Sequence, residues 1–331
     1  PGEEILRAVV ALVEEEPGIR LRGIERRLDV KQGRLGQALK LLEIDQAIYR
    51  EAGGFFRTPT PWVPDIAGWA DVTRRRESEL AEIQAFSAST SCLMEAVTRS
   101  LDDPHAERCG RCANCAGAIV SAEVEHEAVL RAVEFLRRAH RPIEPRKRSP
   151  QGVGPGGTVI PADERAEEGR ALSIWGDAGW GSVVQTGKYE DQVFGDDLVK
   201  AAAEMVRSWN PQPAPEWVTC VPSLRHPQLV NEFAERLAEA LRLPFDPVLV
   251  KSRDRPPQKM LQNSSHQAAN VFGAFSIDGP LRRLGPVLLV DDIVDSRWTF
   301  SECARVLRLE GVAAVFPVAL AEAGPSWQGD E

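Results

Sequence analysis

Four of the six cysteines are spaced for binding a single metal ion. The pattern C-x16-C-x2-C-x2-C joins Cys92, Cys109, Cys112 and Cys115. Two-residue gaps allow neighbouring thiolates to converge on one ion, and four sulfur ligands match tetrahedral zinc with no open position for catalysis. The spacing therefore predicts a structural zinc site. An iron–sulfur cluster uses the same ligands and is the alternative interpretation.

A second chemical pattern lies near the C-terminus, where two carboxylates follow a hydrophobic strand. The strand is predicted at residues 287–290, Asp291 and Asp292 follow it, and the short segment 295–299 carries hydroxyl groups and opens a helix. Carboxylates accept hydrogen bonds from sugar hydroxyls or hold Mg²⁺, and amides at a helix N-terminus bind phosphate. This order of residue types predicts a site for a ribose phosphate.

A third pattern is a basic helix face in an acidic chain. The formal net charge is -9, yet residues 18–40 carry seven basic and two acidic side chains, and residues 131–148 repeat that balance. In the helix predicted after residue 30, leucines form one face. The opposite face carries Lys31, Arg34, Gln37 and Lys40 at three-residue steps. Such a face suits the major groove of DNA, while a merely solvated surface is the alternative.

The surrounding elements predict a winged helix over residues 1–60. Apolar residues at helical spacing indicate two helices ahead of the basic one, and β-prone runs at 47–50 and 55–58 flank Gly53 and Gly54. In a winged helix the third helix enters the groove, and flanking arginines hold phosphates. Besides the four residues of the basic face, the expected DNA-binding residues are Arg22, Arg50 and Arg57.

The rest of the chain is predicted to form three further segments. Residues 61–120 would make a helical zinc module, and residues 121–170 a helix and a basic linker rich in proline and glycine. Strand and helix patterns then alternate through residues 171–331, which predicts a parallel sheet covered by helices. Its strands are expected at 217–221, 247–250, 287–290 and 312–320. The predicted fold class is thus multidomain, α+β and α/β.

Length and composition restrict the function classes. At 331 residues the chain should hold two or three domains, and its first residue, a proline, suggests a fragment of a longer protein. No apolar run approaches the roughly 18 residues that a membrane span requires, and no signal peptide is recognisable. Six cysteines are too few for a disulfide scaffold, so a reducing cytoplasm is expected and a membrane partner is not.

The cysteine segment resembles the zinc-binding part of RecQ-family DNA helicases. A run Leu-Asp-Asp-Pro at 101–104 precedes Cys-Gly-Arg-Cys-Ala-Asn-Cys, with a further cysteine on the helix before it. A winged helix ahead of the cysteines departs from the usual RecQ order and is similar to the bacterial RecQ-like branch that ends in a phosphoribosyltransferase-like domain. The resemblance implies the DNA-binding C-terminal portion of a 3′–5′ ATP-dependent helicase acting in DNA repair or recombination at the bacterial nucleoid.

The sequence contains no G-x-x-x-x-G-K-[ST] loop, and its nearest fragment is Gly187-Lys188-Tyr189. ATP hydrolysis would therefore belong to N-terminal helicase lobes that this sequence does not include, and this segment is expected to lack ATPase activity. The expected partners are duplex, forked or single-stranded DNA, together with those lobes.

The C-terminal carboxylate segment resembles the signature of phosphoribosyltransferases. By that resemblance Asp291 and Asp292 meet the ribose, Asp295 is the candidate base, and Ser296 and Thr299 hold the 5′-phosphate. By the same resemblance, Ser223 and Arg225 correspond to the pyrophosphate loop, and residues 251–275 correspond to a hood over the site.

One departure from that signature affects the expected function. The family has glycine where this chain has Arg297, so the arginine either blocks the pocket or replaces the backbone partners of a bound phosphate. The domain is therefore expected to bind phosphate or nucleic acid without catalysis. The alternative is a Mg²⁺-dependent phosphoribosyltransferase that uses phosphoribosyl pyrophosphate and a base or nucleotide.

Overall fold

The computed structural model describes residues 2–117, 123–150, 152–154, 159–251 and 261–324. The chain separates into two compact units. The first comprises Pro1–Ile19 and Gln37–Val129, and the second comprises Arg20–Gly36 and Leu130–Glu331. Part of the predicted hood, residues 252–260, lies outside the described residues.

The first sixty residues form three helices and a small sheet. The elements are α1 (Glu3–Glu15), β1 (Ile19–Arg20), α2 (Leu21–Arg27), α3 (Gln32–Ile44), β2 (Ile48–Glu51) and β3 (Gly54–Arg57). The strands pair in the order β1-β3-β2, and β1 is an element that the sequence pattern did not predict. Gly53 has a φ of 82°, which suits the tight turn, and a Cβ on Gly54 would lie 2.5 Å from the carbonyl oxygen of Gly18. Glycine at both positions therefore allows the hairpin to close.

The remainder of the first unit is helical. It contains α4 (Ile66–Ala88), α5 (Leu93–Ser100) and the single turn α6 (Ala113–Ala116). The Asp65 carboxylate caps α4 by accepting a hydrogen bond from the Gly68 amide at 2.9 Å. Cys92 occupies the corresponding N-cap position of α5, so the start of that helix sets the position of one of the four thiols.

The second unit is built around a sheet with both faces covered. Within the described residues the strand order is β4-β5-β10-β9-β6, with β5, β10, β9 and β6 parallel and β4 antiparallel to β5. The strands are β4 (Arg141–Ile143), β5 (Gly169–Ile174), β6 (Trp217–Cys220), β9 (Val287–Val294) and β10 (Val315–Glu322). The helices are α7 (His126–Arg138), α8 (Gly181–Thr186), α9 (Asp196–Trp209), α10 (Leu229–Leu241), α11 (Ser264–Val271) and α12 (Trp298–Leu309).

Alternate residues of β9 enter two different hydrophobic layers. Leu288 and Val290 pack in the layer that contains α9 and α10, whereas Val287 and Leu289 pack in the layer that contains α11 and α12. All four side chains are fully buried. A strand covered on both faces needs such a continuous apolar run, and burying each side chain contributes about 1.5–3 kcal/mol.

The prediction for residues 247–250 was wrong in its sheet assignment. The strand β7 (Leu249–Lys251) pairs antiparallel with β8 (Phe275–Ile277) in a separate two-stranded sheet. A short apolar run indicates a strand but carries no information about its partner. In the described part of the chain, none of the helices combines the length and apolar character needed to cross a bilayer.

Candidate functional site

The four predicted cysteine ligands meet in the first unit. Their sulfur atoms all lie within 4.8 Å of one another, and the Sγ atoms of Cys92 and Cys112 are 3.9 Å apart. Four sulfurs at about 2.3 Å from one tetrahedral zinc ion stand about 3.8 Å from each other. The thiols therefore fit zinc, with Cys92 buried and the other three partly exposed.

Backbone amides and one arginine surround these sulfurs. The Cys92 sulfur accepts from the amides of Glu95 and Cys109, and hydrogen bonds from these amides lower the pKa of that thiol. Burial opposes ionisation of Cys112, but hydrogen bonds from backbone amides and from Cys115 outweigh it and lower its pKa to about 6. Arg108 donates to the Cys115 sulfur at 3.4 Å. That hydrogen bond lowers the pKa of Cys115, but burial and hydrogen bonds with Cys112 and Cys92 outweigh it and raise that pKa. The surroundings thus favour the metal-binding thiolate form at Cys92 and Cys112.

Asn114 connects the loop that carries three of the cysteines to the segment just before α5. Its Nδ2 atom donates to the carbonyl oxygens of Ser89 and Ser91, both at 2.7 Å. These bonds connect the loop that carries three cysteines to the segment just before Cys92. They fix the distance between the two parts of the ligand set.

The predicted carboxylates lie in the carboxyl-terminal half of β9, an inner strand of the sheet. Asp291 Oδ1 accepts from the Asp292 amide at 2.9 Å, and Asp292 Oδ1 accepts from the Ile293 amide at 2.7 Å. In parallel α/β sheets this edge is where ligands bind. Asp291 and Asp292 therefore occupy the edge at which the sequence placed a ribose-phosphate site.

A buried lysine neutralises one of the two carboxylates. Lys188 Nζ lies 2.9 Å from Asp292 Oδ2, and the side chains of Lys188 and Asp292 are 4% and 13% exposed. Lys188 stands in a π-helical turn, Gly187–Asp191, which follows α8. The sequence singled out this lysine only as part of an incomplete P-loop, because nothing in the local pattern identified its partner.

Asp291 differs from Asp292, because its environment favours the protonated carboxyl. Burial, reinforced by the neighbouring Asp292 charge, raises the pKa of Asp291 well above its usual range. A carboxyl that resists ionisation beside one already paired with lysine is a poor ligand set for Mg²⁺. The residues present do not fit the magnesium ion that the sequence suggested.

Two arginines make hydrogen bonds at the loop that precedes α12. Arg297 adopts a left-handed conformation with a φ of 66°, and its Nη1 atom donates to the Glu144 carbonyl oxygen at 3.3 Å. Arg146 donates through Nε and Nη2 to the Ser296 carbonyl oxygen at 2.9 and 2.5 Å. Burial raises the pKa of Asp295, and Arg146 opposes that rise. Residues 295–299 thus bind an arginine through a carbonyl, and the sequence did not identify Arg146 as part of this site.

The predicted pyrophosphate loop leaves the sheet beside the carboxylates. Cys220 pairs with Val290, and the Val221 amide donates to the Val290 carbonyl oxygen at 2.8 Å, so β6 and β9 end at the same edge. In the loop that follows, Ser223 Oγ accepts from the His226 amide at 3.1 Å, and Arg225 is exposed. The structure therefore places Ser223 and Arg225 after the strand neighbouring β9.

The predicted DNA-binding residues fall into two groups. Lys31, Arg34, Gln37 and Lys40 are exposed, and among the described residues no ion pair or side-chain hydrogen bond involves them. Arg22 is also exposed, and Arg50 is exposed with its guanidinium 5.7 Å from the centre of the Phe55 ring. Arg57 differs, because it pairs with Glu14 at 2.8 Å, donates to the Ala47 carbonyl and is 18% exposed. Its contacts hold the hairpin.

Comparisons with known proteins identify no family for this chain. No protein-family model matches the chain, and no curated protein matches it. A hypothetical protein from Neisseria gonorrhoeae with bound ppGpp is similar at 19% identity, covering 43% of this chain and 73% of that one, with a TM-score of 0.27.

Two adenine phosphoribosyltransferases are also similar. The one from Leishmania tarentolae has 14% identity, covers 39% of this chain and 72% of its own, and has a TM-score of 0.24. The one from Leishmania donovani has 12% identity, covers 60% of this chain and 86% of its own, and has a TM-score of 0.26. At TM-scores this low, the similarity identifies neither a family nor a function for this chain.

Proposed function

We propose that this chain is the DNA-binding portion of a RecQ-like helicase, in which a winged helix grips DNA and a zinc module supports it. The observation that carries the proposal is the free basic face of α3. Lys31 immediately precedes α3, Arg34 and Lys40 lie on it, and all three are exposed and make no ion pairs within the part of the chain that the structure describes. Exposed cations without protein partners along a short segment can neutralise phosphates.

The elements around α3 support the same proposal. Three helices precede a hairpin, which is the order found in winged helices, and the four-cysteine segment resembles RecQ zinc modules. In this arrangement α3 would enter the major groove, while Arg50 would contact the backbone from the hairpin. Any ATP-driven step would require motor residues outside this sequence, because no P-loop motif occurs in it.

A DNA-binding titration at two salt concentrations tests the proposal. Forked, duplex and single-stranded oligonucleotides should bind with an affinity that falls with salt, because each neutralised phosphate contributes about 0.9 to the slope of log K against log salt for B-DNA. The triple variant Lys31→Ala, Arg34→Ala, Lys40→Ala should reduce that slope by about two to three.

The matched control removes the same charge from other exposed positions. Lys200, Arg282 and Arg283 are exposed residues of the second unit, and their replacement by alanine should leave the salt slope unchanged. An equal loss of affinity in the two triple variants would contradict a specific α3 interface.

For the α/β domain we propose phosphate or nucleic-acid binding without phosphoribosyl transfer. The Lys188–Asp292 pair supports this, because it already engages a carboxylate that a transferase would offer to Mg²⁺ or to the ribose. Phosphoribosyl pyrophosphate should therefore produce no Mg²⁺-dependent rise in melting temperature. A rise that requires Mg²⁺ and disappears in Asp292→Asn would establish the transferase alternative instead.

A further inference from the structure

A cleft of about 270 Å³ in the second unit collects positive charge from separate parts of the chain. Its lining includes Arg22 and Arg26 of α2, Arg146 and Arg148 from the segment after β4, and Ser264 and Ser265 of α11. Positions so far apart in sequence form one surface only in the folded unit. The cleft lies beside the loop at residues 295–299 and shares Arg146 and Trp298 with it.

The charge of the cleft is poorly compensated by the protein. Four arginines line it, and Glu25 is the one acidic residue among its lining. Arg22, Arg26 and Arg148 are exposed, and no ion pair or side-chain hydrogen bond among the described residues involves them. Because four guanidinium groups repel one another, an anion bound between them would be stabilised.

The fourth arginine is held in a fixed orientation. Arg146 uses Nε and Nη2 to bond the Ser296 carbonyl oxygen, and its guanidinium lies 4.3 Å from the centre of the Trp298 ring. The indole is itself positioned by a 3.1 Å hydrogen bond from its Nε1 to Ser264 Oγ. A guanidinium has five N–H donors, so donors remain for a ligand. The Arg146 side chain is therefore already ordered before a ligand binds.

The first turn of α11 adds neutral donors. Asn263 caps the helix by accepting from the His266 amide at 2.9 Å. The amides of Ser264 and Ser265 precede the first intrahelical hydrogen bond, and both residues also carry hydroxyls. Helix N-termini favour anions, so this turn adds to the attraction that the arginines provide.

We propose that this cleft binds a phosphate ester, supplied either by a free nucleotide or by a nucleic acid strand. Phosphate offers several oxygens to forked guanidinium donors, hydroxyls and amides at once, which a single carboxylate does not. The proposal rests on residues of the second unit and not on the basic face of α3. It rests on the phosphate binding proposed for the α/β domain and names the site; it shares Arg22 with the predicted DNA-binding residues, whereas Arg26, Arg146 and Arg148 belong to the cleft alone.

Calorimetric titration of the full chain with pyrophosphate at low salt tests the site. The variant Arg22→Ala, Arg26→Ala, Arg148→Ala should bind pyrophosphate about tenfold more weakly or worse, because charge-assisted hydrogen bonds are lost. The triple alanine variant of Lys200, Arg282 and Arg283 loses equal charge and should bind as the unmodified protein does. The α3 triple variant should also retain pyrophosphate binding.

A single-stranded oligonucleotide distinguishes the two sources of phosphate. If the ligand is a nucleic acid, the cleft variant binds the oligonucleotide more weakly than the control variant, and pyrophosphate competes for it in the unmodified protein. If the ligand is a free nucleotide, pyrophosphate affinity falls and oligonucleotide affinity does not. The proposal is overturned if neither ligand distinguishes the cleft variant from the control.

Chemical labelling gives a readout on the unmodified protein. Pyrophosphate should slow the reaction of phenylglyoxal with Arg26 and Arg148, while the exposed Arg282 and Arg283 react at an unchanged rate. Mass spectrometry of the labelled peptides measures both. Equal rates with and without pyrophosphate at all four arginines would contradict the site.

Discussion

The cysteine cluster takes its ligands from the single segment 92–115, whereas the carboxylate site combines residues from Glu144 to Arg297. In the cluster, spacing along the chain nearly determines geometry, because two-residue gaps and a helix start bring the sulfurs together. In the carboxylate site, Lys188 reaches Asp292 and Arg146 reaches Ser296 only after the sheet has formed. Local chemistry was therefore easier to predict than chemistry assembled across the sheet.

The same difference affects function. The cluster keeps the ligands that its pattern predicted, and they fit zinc. The carboxylate site keeps its predicted acids, but its partners change what those acids can do. Lys188 neutralises Asp292, and burial raises the pKa of Asp291. A sequence signature in one segment predicts a reaction only when the residues that the fold places around it leave its side chains free to take part.

Metal removal should have the largest effect. The chain should contain one zinc ion, measured by atomic absorption, and Cys112→Ser should abolish binding and unfold the zinc module. Structural zinc contributes about 10–16 kcal/mol to folding in small zinc modules. Cys220→Ala alters a buried cysteine outside the cluster and should retain the metal. Visible absorbance typical of iron–sulfur clusters would contradict the zinc assignment.

Breaking the buried ion pair should have the next largest effect. Lys188→Met leaves the Asp292 carboxylate without its cation, which should lower the free energy of unfolding by about 3–5 kcal/mol. Adding Asp292→Asn should recover part of that loss in urea titrations. The exposed pair between Lys200 and Asp197 is the control, and Lys200→Met should cost less than about 1 kcal/mol. Additive losses in the double variant would show that the two side chains are not coupled.

The smallest effect should come from Asp291→Asn, and it should depend on pH. The folded state raises the pKa of this carboxyl, so the stability it contributes is present below the ordinary carboxyl pKa and is lost as pH rises through the raised value. The unmodified protein should therefore lose stability relative to Asp291→Asn as the pH rises. Urea unfolding between pH 4 and 8 measures this difference, with the exposed Asp278→Asn as control. A pH-independent difference would refute it.

Much of the fold could be predicted where apolar periodicity was strong. The strand expected at 217–221 is β6, and the strand expected at 287–290 is the first half of β9. The strand β5 was not predicted, because its run begins in a charged stretch after a proline- and glycine-rich segment. The strand β7 was predicted, but its antiparallel partner β8 was not. Strand pairing depends on contacts distant in sequence, which local patterns do not contain.

The candidate sites follow the same rule at the level of side chains. All four cysteine ligands were predicted, and so were the positions of Asp291 and Asp292. The roles of Lys188 and Arg146 were not, since each acts through a partner more than a hundred residues away. Arg57 was expected on DNA because it stands on the hairpin, yet its pairing with Glu14 depends on how α1 packs.

Helix α2 ends against a residue from a distant part of the second unit. Asn263 Nδ2 donates to the carbonyl oxygens of Glu25 and Leu28, both at 2.9 Å, and Asp29 Oδ1 accepts from the amides of Gln262 and Asn263. If the chain were cut at residue 60, the carbonyl groups of Glu25 and Leu28 and the Asp29 carboxylate would be solvated, and the end of α2 would fray. An excised N-terminal fragment would consequently lack the native end of α2, and point substitutions in the complete protein are the better way to test the proposed DNA interface.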